Sequence, residues 1–154
     1  MIAVLILAAH ELQDEPSRGR LGLNLSGGAI VAPAPTAQLN GDLEGLWLPA
    51  PYLRLGLSAG GFWQQAQTGG TRFLGVVEAA IPQWWGEWFF GIGGGAAYTN
   101  WSTDWRADGA GRVRVGADLV LFRPLFVGVS ISYNVLAPQW LHSGTIDLRV
   151  GAAF

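Results

Sequence analysis

The sequence predicts an all-β fold: an eight-stranded antiparallel up-and-down transmembrane β-barrel. Three observations predict it. Half of the 154 residues are apolar and only 13% are charged, about half the share found in soluble domains. From Leu21 onward, apolar and polar residues alternate with period 2, as in strands with two unlike faces. The 23 Gly and 8 Pro disfavour long helices and separate the alternating segments.

The composition excludes several classes of function. The chain has no cysteine, which removes disulfides, thiolate catalysis and cysteine metal sites. His10 and His142 are the only histidines, and no histidine pair has metal-ligand spacing, so neither a metal site nor a cofactor is predicted. The net charge of −2 offers no basic patch, so no nucleic-acid partner is predicted.

The first 18 residues differ from the rest of the chain. Residues 1–9 form an apolar run that is too short to cross a bilayer as a helix, which takes about 20 residues. The run is typical of the apolar core of a secretory signal peptide, although no basic residues precede it; the alternative is an N-terminal arm. Residues 1–18 are therefore predicted to be a signal-peptide remnant and polar tail, and residues 19–154 the barrel.

Eight segments carry the alternation, each bounded by Pro, Gly, Asn or Asp. They span residues 19–32, 36–48, 52–65, 70–82, 86–99, 109–122, 125–136 and 143–154.

Taken in chain order, each segment shows the two unlike faces of a barrel strand. The first begins the alternation at Leu21. In the second, two acids oppose Leu and Trp, and in the third one arginine opposes leucines. The fourth has an arginine and an acid on one face, which Leu74 and Val76 share. The fifth sets Glu87 and several glycines against Trp, Phe and Ile, and the sixth sets arginines against valines and leucines. The seventh and eighth oppose small polar or charged residues to Val, Ile and Leu.

The charged residues of the strands all fall on the polar face. They are Asp42, Glu44, Arg54, Arg72, Glu78, Glu87, Arg112, Arg114, Asp118, Asp147 and Arg149.

The polar face is predicted to point inward. The interior of an eight-stranded barrel is only just wide enough to be filled by side chains, so it cannot hold the Leu, Trp, Phe and Ile of eight apolar faces. The polar face has small residues between its charges, as a narrow interior requires. Its six acids and five arginines can pair, so the interior is expected to be an ion-paired plug rather than a pore.

Aromatic residues gather near the segment ends, as in the interface girdles of membrane barrels. One group comprises Trp47, Tyr52, Trp84, Trp85, Trp88, Phe122 and Phe126, and the other comprises Phe62, Trp63, Phe73, Tyr98, Trp101 and Trp140. The connections also alternate in length, with longer loops predicted at one end, including one at 100–108, and short turns at the other.

On this pattern, residues 19–154 resemble the small eight-stranded outer-membrane barrels of the OmpX and OmpA transmembrane-domain kind. The resemblance implies location in the bacterial outer membrane, with the lipid bilayer and lipopolysaccharide as partners. The alternating residues before Phe154 are similar to the signal by which such barrels are recognised for assembly. This similarity implies that Phe154 acts during insertion by the barrel-assembly machinery; the alternative is an ordinary lipid-facing aromatic.

The predicted role is structural, or surface binding through the extracellular loops. In the 100–108 loop, Trp101, Trp105 and Arg106 are candidate binding residues, because exposed Trp and Arg are enriched in binding hot spots. The alternative is that these tryptophans only anchor the interface or pack on the loop.

No enzyme is predicted, and three other functions remain open. The first is a lipid A deacylase-like enzyme, in which His142 is the base, Ser143 the nucleophile and Asp147 the orienting acid. Neighbouring strand residues point to opposite faces, which counts against this triad. The second is a small pore, and the third is a soluble barrel with an apolar ligand inside.

Overall fold

The structure, a computed structural model, describes residues 19–32, 36–64, 68–101, 104–122, 124–138 and 141–154. The expectations for residues 1–18 lie outside the described residues. So do Trp140 and the side chain of Trp101.

The chain forms a closed barrel of eight antiparallel strands in sequential order, which confirms the predicted fold class. The strands are β1 (Gly19–Ala32), β2 (Thr36–Ala50), β3 (Leu53–Gln64), β4 (Thr68–Gln83), β5 (Gly86–Trp101), β6 (Asp104–Phe122), β7 (Leu125–Ala137) and β8 (Leu141–Ala153). Within the described part of the chain, no helix is long and apolar enough to cross a membrane.

Pairing between β1 and β8 closes the ring. Gly19 N donates to Phe154 O at 2.8 Å, and Phe154 N donates to Gly19 O at 2.9 Å. From there the ladder runs from Arg20 opposite Ala153 to Ala32 opposite His142. Closure matters because hydrocarbon offers no partner for the polar groups of an open strand edge. Gly19 and Phe154 lie at the same end of the barrel, which we call the terminal end; the other is the distal end.

The distal connections are shorter than the sequence predicted. The expected loop at 100–108 is wrong, because β5 continues to Trp101 and β6 begins at Asp104, with Asn100 opposite Trp105. Two antiparallel strands need only a two-residue connection, and the ladder continues through residues whose polarity had suggested a loop. The other distal connections span three residues each, so the contrast with the two-residue turns of the terminal end is small.

The two faces of the strands differ sharply. Outward residues of β7 such as Val129 and Ile131 are 53% and 64% exposed on the barrel exterior, whereas their neighbours Ser130 and Ser132 are 3% and 2% exposed. The same alternation of exposed and buried residues holds along β6 and most of β8. The apolar face is therefore outside and the polar face inside, which is the reverse of a soluble barrel.

Glycines on the inner face allow close approach of neighbouring strands. A Cβ atom on Gly56 would lie 2.0 Å from the carbonyl oxygen of Gly45 and 2.7 Å from Leu46 Cδ2. Gly45 belongs to β2, which pairs with the strand of Gly56, but it faces outward. A Cβ atom on Gly45 would meet nothing within 4 Å.

We therefore expect Gly56→Ala to lower the free energy of unfolding by about 1–3 kcal/mol, because the added methyl overpacks the interior. Gly45→Ala is the matched control and should leave it nearly unchanged. The measurement is urea unfolding of the barrel in detergent micelles, followed by tryptophan fluorescence. Equal effects of the two substitutions would contradict the assignment of the faces.

Candidate functional site

The barrel interior holds all eleven charged residues that the sequence placed on the polar face. None of them is more than 7% exposed. Two further charged residues, Arg20 at 9% and Asp108 at 4%, are also buried there. Both belong to strands, but Arg20 lies at the edge of the polar tail and Asp108 in the stretch taken for a loop. Strand parity could have found them, because Arg20 is in phase with Asn24 and Asp108 with Arg112.

Four arginines and four acids form one ion-pair cluster, which we call the terminal cluster. Its members are Arg20, Arg54, Arg114, Arg149, Glu44, Glu78, Glu87 and Asp118. They come from every strand except β7, so the pairs span the interior rather than linking only neighbouring strands.

Two acids at the centre of the terminal cluster each contact more than one arginine. Glu44 lies 2.5 Å from Arg114 Nη2 and 2.9 Å from Arg149 Nη2, measured to its two carboxylate oxygens. Glu78 also accepts a hydrogen bond of 2.6 Å from Arg114 Nε. Charges taken out of water need such multiple partners, because each loses its hydration on burial.

Inward phenylalanines pack against three of the four arginines of this cluster, Arg20, Arg114 and Arg149. The Cζ atom of Arg149 lies 4.2 Å from the ring centroid of Phe89, and that of Arg20 lies 5.2 Å from the ring centroid of Phe126. Both distances are in the range of cation–π attraction. The interpretation of Phe126 as a girdle residue was therefore wrong: its flanking residues Leu125 and Val127 face outward, which turns Phe126 inward.

A second group, the distal cluster, lies nearer the opposite end. Arg72 Nη2 and Arg112 Nη2 both lie 2.6 Å from Asp42 Oδ2. The same two arginines each donate to Asn134 Oδ1 at 3.1 Å. Asn134 Nδ2 in turn donates to Thr145 Oγ1 at 3.4 Å.

Asp147 completes the distal cluster through hydroxyl groups. Thr145 donates to it at 2.9 Å, Ser130 at 3.0 Å, and Ser132 also donates to it. Among the described residues no arginine lies within 4.0 Å of Asp147. Asp147 is linked to Arg72 and Arg112 by a chain of hydrogen bonds through Thr145 and Asn134.

The two clusters are each electrically balanced. The terminal cluster has four arginines and four acids, and the distal cluster has two arginines with Asp42 and Asp147. Neither presents an excess of one sign, which a site selective for anions or cations would need.

An apolar cap covers the distal cluster. It consists of Phe62, Ala97, Leu136 and Leu141, all 8% exposed or less. Phe62 is therefore an interior residue and not, as the sequence suggested, part of the girdle. A cavity of about 10 Å³ remains beneath the cap, lined by Gln38, Arg72 and Asn134 among others. Such a volume admits about one water molecule.

The distal hairpin of β5 and β6 does not bring its three candidate residues together. Trp105 faces outward and is 54% exposed. Arg106 follows it and therefore points to the opposite face of the hairpin, although it too is exposed. The side chain of Trp101 lies outside the described residues. The sequence placed Tyr98 in the girdle but not among the binding candidates; its ring stacks on that of Trp105 at a centroid distance of 5.0 Å and an interplanar angle of 15°.

The proposed catalytic triad does not assemble. Ser143 is 2% exposed in the interior, whereas the neighbouring His142 lies at the outer surface with Nδ1 2.6 Å from Tyr133 Oη. Asp147 is in the interior, bonded to the hydroxyls described above. In the described part of the chain, no three residues of His, Asp or Glu type form a metal-binding group.

Comparison with known proteins shows the fold. No protein-family model matches the chain, and no curated protein matches it. Neisserial surface protein A has a TM-score of 0.73 at 8% sequence identity, covering 90% of this chain and 98% of that one. The attachment invasion locus protein Ail of Yersinia pestis has a TM-score of 0.65 at 10% identity, with coverage of 91% and 100%. The N-terminal β-barrel domain of OprF from Pseudomonas aeruginosa has a TM-score of 0.61 at 12% identity, with coverage of 90% and 100%.

The chain therefore has the fold of the small eight-stranded outer-membrane β-barrels. This is the structural class that the sequence pattern predicted. Because the sequence identities are only 8 to 12%, the similarity shows the fold alone.

Removing a central arginine should destabilise the barrel strongly. We expect Arg149→Met to lower the free energy of unfolding by about 3–5 kcal/mol, because Glu44 and Asp118 would each lose a charged partner in the interior. Arg106→Met, at an exposed position of the hairpin, should change it by less than about 0.5 kcal/mol. Urea unfolding in detergent micelles measures both, and a loss below about 1 kcal/mol for Arg149→Met would show that the cluster is not desolvated.

Proposed function

We propose that this protein is an integral bacterial outer-membrane barrel that conducts no ions and acts through its surface, as a structural element and a binding platform at its distal hairpin. The observation that carries the proposal is the division of its faces. Residues such as Leu57 and Ile131 cover the exterior, while thirteen buried charged residues occupy the interior. An apolar exterior of this kind is stable in lipid and unstable in water.

The filled interior supports a closed barrel rather than a pore. A conducting pore needs a continuous hydrated path with favourable but weak ion sites. Here the two balanced clusters hold twelve of the thirteen buried charged residues, and Phe62, Leu136 and Leu141 cap the interior at the distal end.

The surface supports a bilayer and lipopolysaccharide as partners. Exposed aromatics such as Trp47, Trp88 and Phe154 surround the terminal end, and Trp63 and Tyr98 lie at the distal end. Girdles of this kind position a barrel between the two interfaces. Contact of Phe154 with the barrel-assembly machinery during insertion is part of the same proposal.

An enzymatic role has less support. An acyl hydrolase needs its base within hydrogen-bond reach of its nucleophile, and the barrel wall separates His142 from Ser143. We therefore propose a non-enzymatic role.

The proposal predicts that the refolded protein, added to a planar lipid bilayer, produces no stable conductance steps, because charged and apolar side chains occupy the described interior. Insertion is verified in the same preparation by a mobility difference between unboiled and boiled samples on a detergent gel. In a Gram-negative host, the protein should co-sediment with outer-membrane markers. Reproducible ion-selective steps from inserted protein would contradict the closed interior, and recovery in the soluble fraction would contradict the membrane location.

A further inference from the structure

The stacked pair of Tyr98 and Trp105 is a feature that the barrel itself does not require. The rings lie at 15° to one another with centroids 5.0 Å apart, and they are 51% and 54% exposed. In a stack, each ring gives one face to the other and keeps its second face for a further partner. Anchoring at an interface needs single rings only, as Trp63 illustrates: it is also 54% exposed and has no aromatic partner among the described residues.

The pair sits where the apolar belt ends. Along β5 the outward residues run from Phe90 and Ile92 through small residues to Tyr98, and the next outward residue is Asn100. Trp105 lies directly opposite Asn100, one step further from the belt. The rings therefore lie at the level of lipid headgroups, where amphipathic aromatics are favoured.

Polar side chains flank both rings. Thr71 of β4 is exposed and lies directly opposite Tyr98, and Asn100 stands directly opposite Trp105. The Thr71 hydroxyl can donate and accept hydrogen bonds, and Asn100 can donate through Nδ2, because its Oδ1 is buried. Flat apolar rings between such groups match a pyranose sugar, which has an apolar C–H face and a rim of hydroxyls.

The size of the surface also favours a ring-sized ligand. Two rings bordered by Thr71, Asn100 and the small Ala107 fall far short of the roughly 800 Å² that each partner contributes to a stable protein interface. An acyl chain would bind the two rings no more tightly than it binds the acyl chains of the surrounding lipid.

We propose that Tyr98 and Trp105, with Thr71 and Asn100, bind a core sugar of outer-leaflet lipopolysaccharide. This inference rests on the proposed function, because only an outer-membrane barrel with its distal end outside meets that sugar. In this site Tyr98, Thr71 and Asn100 join Trp105, while Arg106 on the opposite face takes no part.

The test is calorimetric titration of the refolded barrel, in phosphocholine-detergent micelles, with deacylated core oligosaccharide from a rough-type lipopolysaccharide. Trp105→Ala and Tyr98→Ala should each weaken binding about tenfold, because each removes one ring of the stack. Tyr98→Phe keeps the ring and should retain most of the affinity. Trp63→Ala is the matched control, of the same residue type and exposure, and should bind like the parent. Each variant is first shown to be folded by its heat-dependent gel mobility.

The inference would be overturned by no binding by the folded parent, by undiminished binding by Trp105→Ala, or by equal weakening by Trp63→Ala. Equal affinity for maltohexaose would also overturn it, since it would show a generic preference for sugars. Failure here is distinguishable from failure of the proposed function: a barrel that co-sediments with the outer membrane without conducting, yet binds no oligosaccharide, refutes the sugar site alone.

Discussion

The structure depends on one constraint, the small interior of a closed ring of eight strands. Closure satisfies the backbone hydrogen bonds, which hydrocarbon cannot do, and it fixes an interior that only side chains can fill. Bulky apolar residues on every inward position would not fit. The chain therefore places Leu, Ile, Val and Trp outside and fills the interior with arginines, acids, small polar residues and a few large apolar ones such as Phe89 and Leu74. The orientation of the two faces follows from volume as much as from polarity.

Filling an interior with charge carries a desolvation cost that pairing must offset. Twelve of the thirteen buried charged residues form two balanced clusters, and the remaining one, Asp108, accepts a hydrogen bond from Thr99. The terminal cluster uses direct and shared ion pairs, with Arg149 over the ring of Phe89 and Arg20 over the ring of Phe126. The distal cluster uses Asn134 and Thr145 to connect Asp147 to two arginines that already share Asp42. Since the pairs join strands far apart in sequence, the clusters also hold opposite walls of the barrel together.

Period-2 alternation predicted the strands and the faces because side chains on a strand alternate without exception unless a bulge intervenes. The same rule would have found Arg20 and Asp108, but both lie in polar stretches that local composition assigns to a tail or loop. Composition also misled at Phe62 and Phe126, since aromatics near strand ends match an interface girdle and only their phase shows that they face inward. The partners within the clusters could not be predicted, because they depend on register across the barrel. The stacking of Tyr98 on Trp105 could not be predicted for the same reason, because it requires β5 and β6 to stay paired through residues 98–107.

The central claim is that the apolar face contacts lipid. Because the chain has no cysteine, a single Ile131→Cys or Leu57→Cys substitution allows one spin label to be placed on the exterior of the barrel in a phospholipid bilayer. Electron paramagnetic resonance then compares how often the label collides with oxygen, which concentrates in lipid, and with a water-soluble nickel complex. Both labels should collide far more often with oxygen than with the nickel complex. Preferential collision with the nickel complex at both positions would place this face in water and contradict the account.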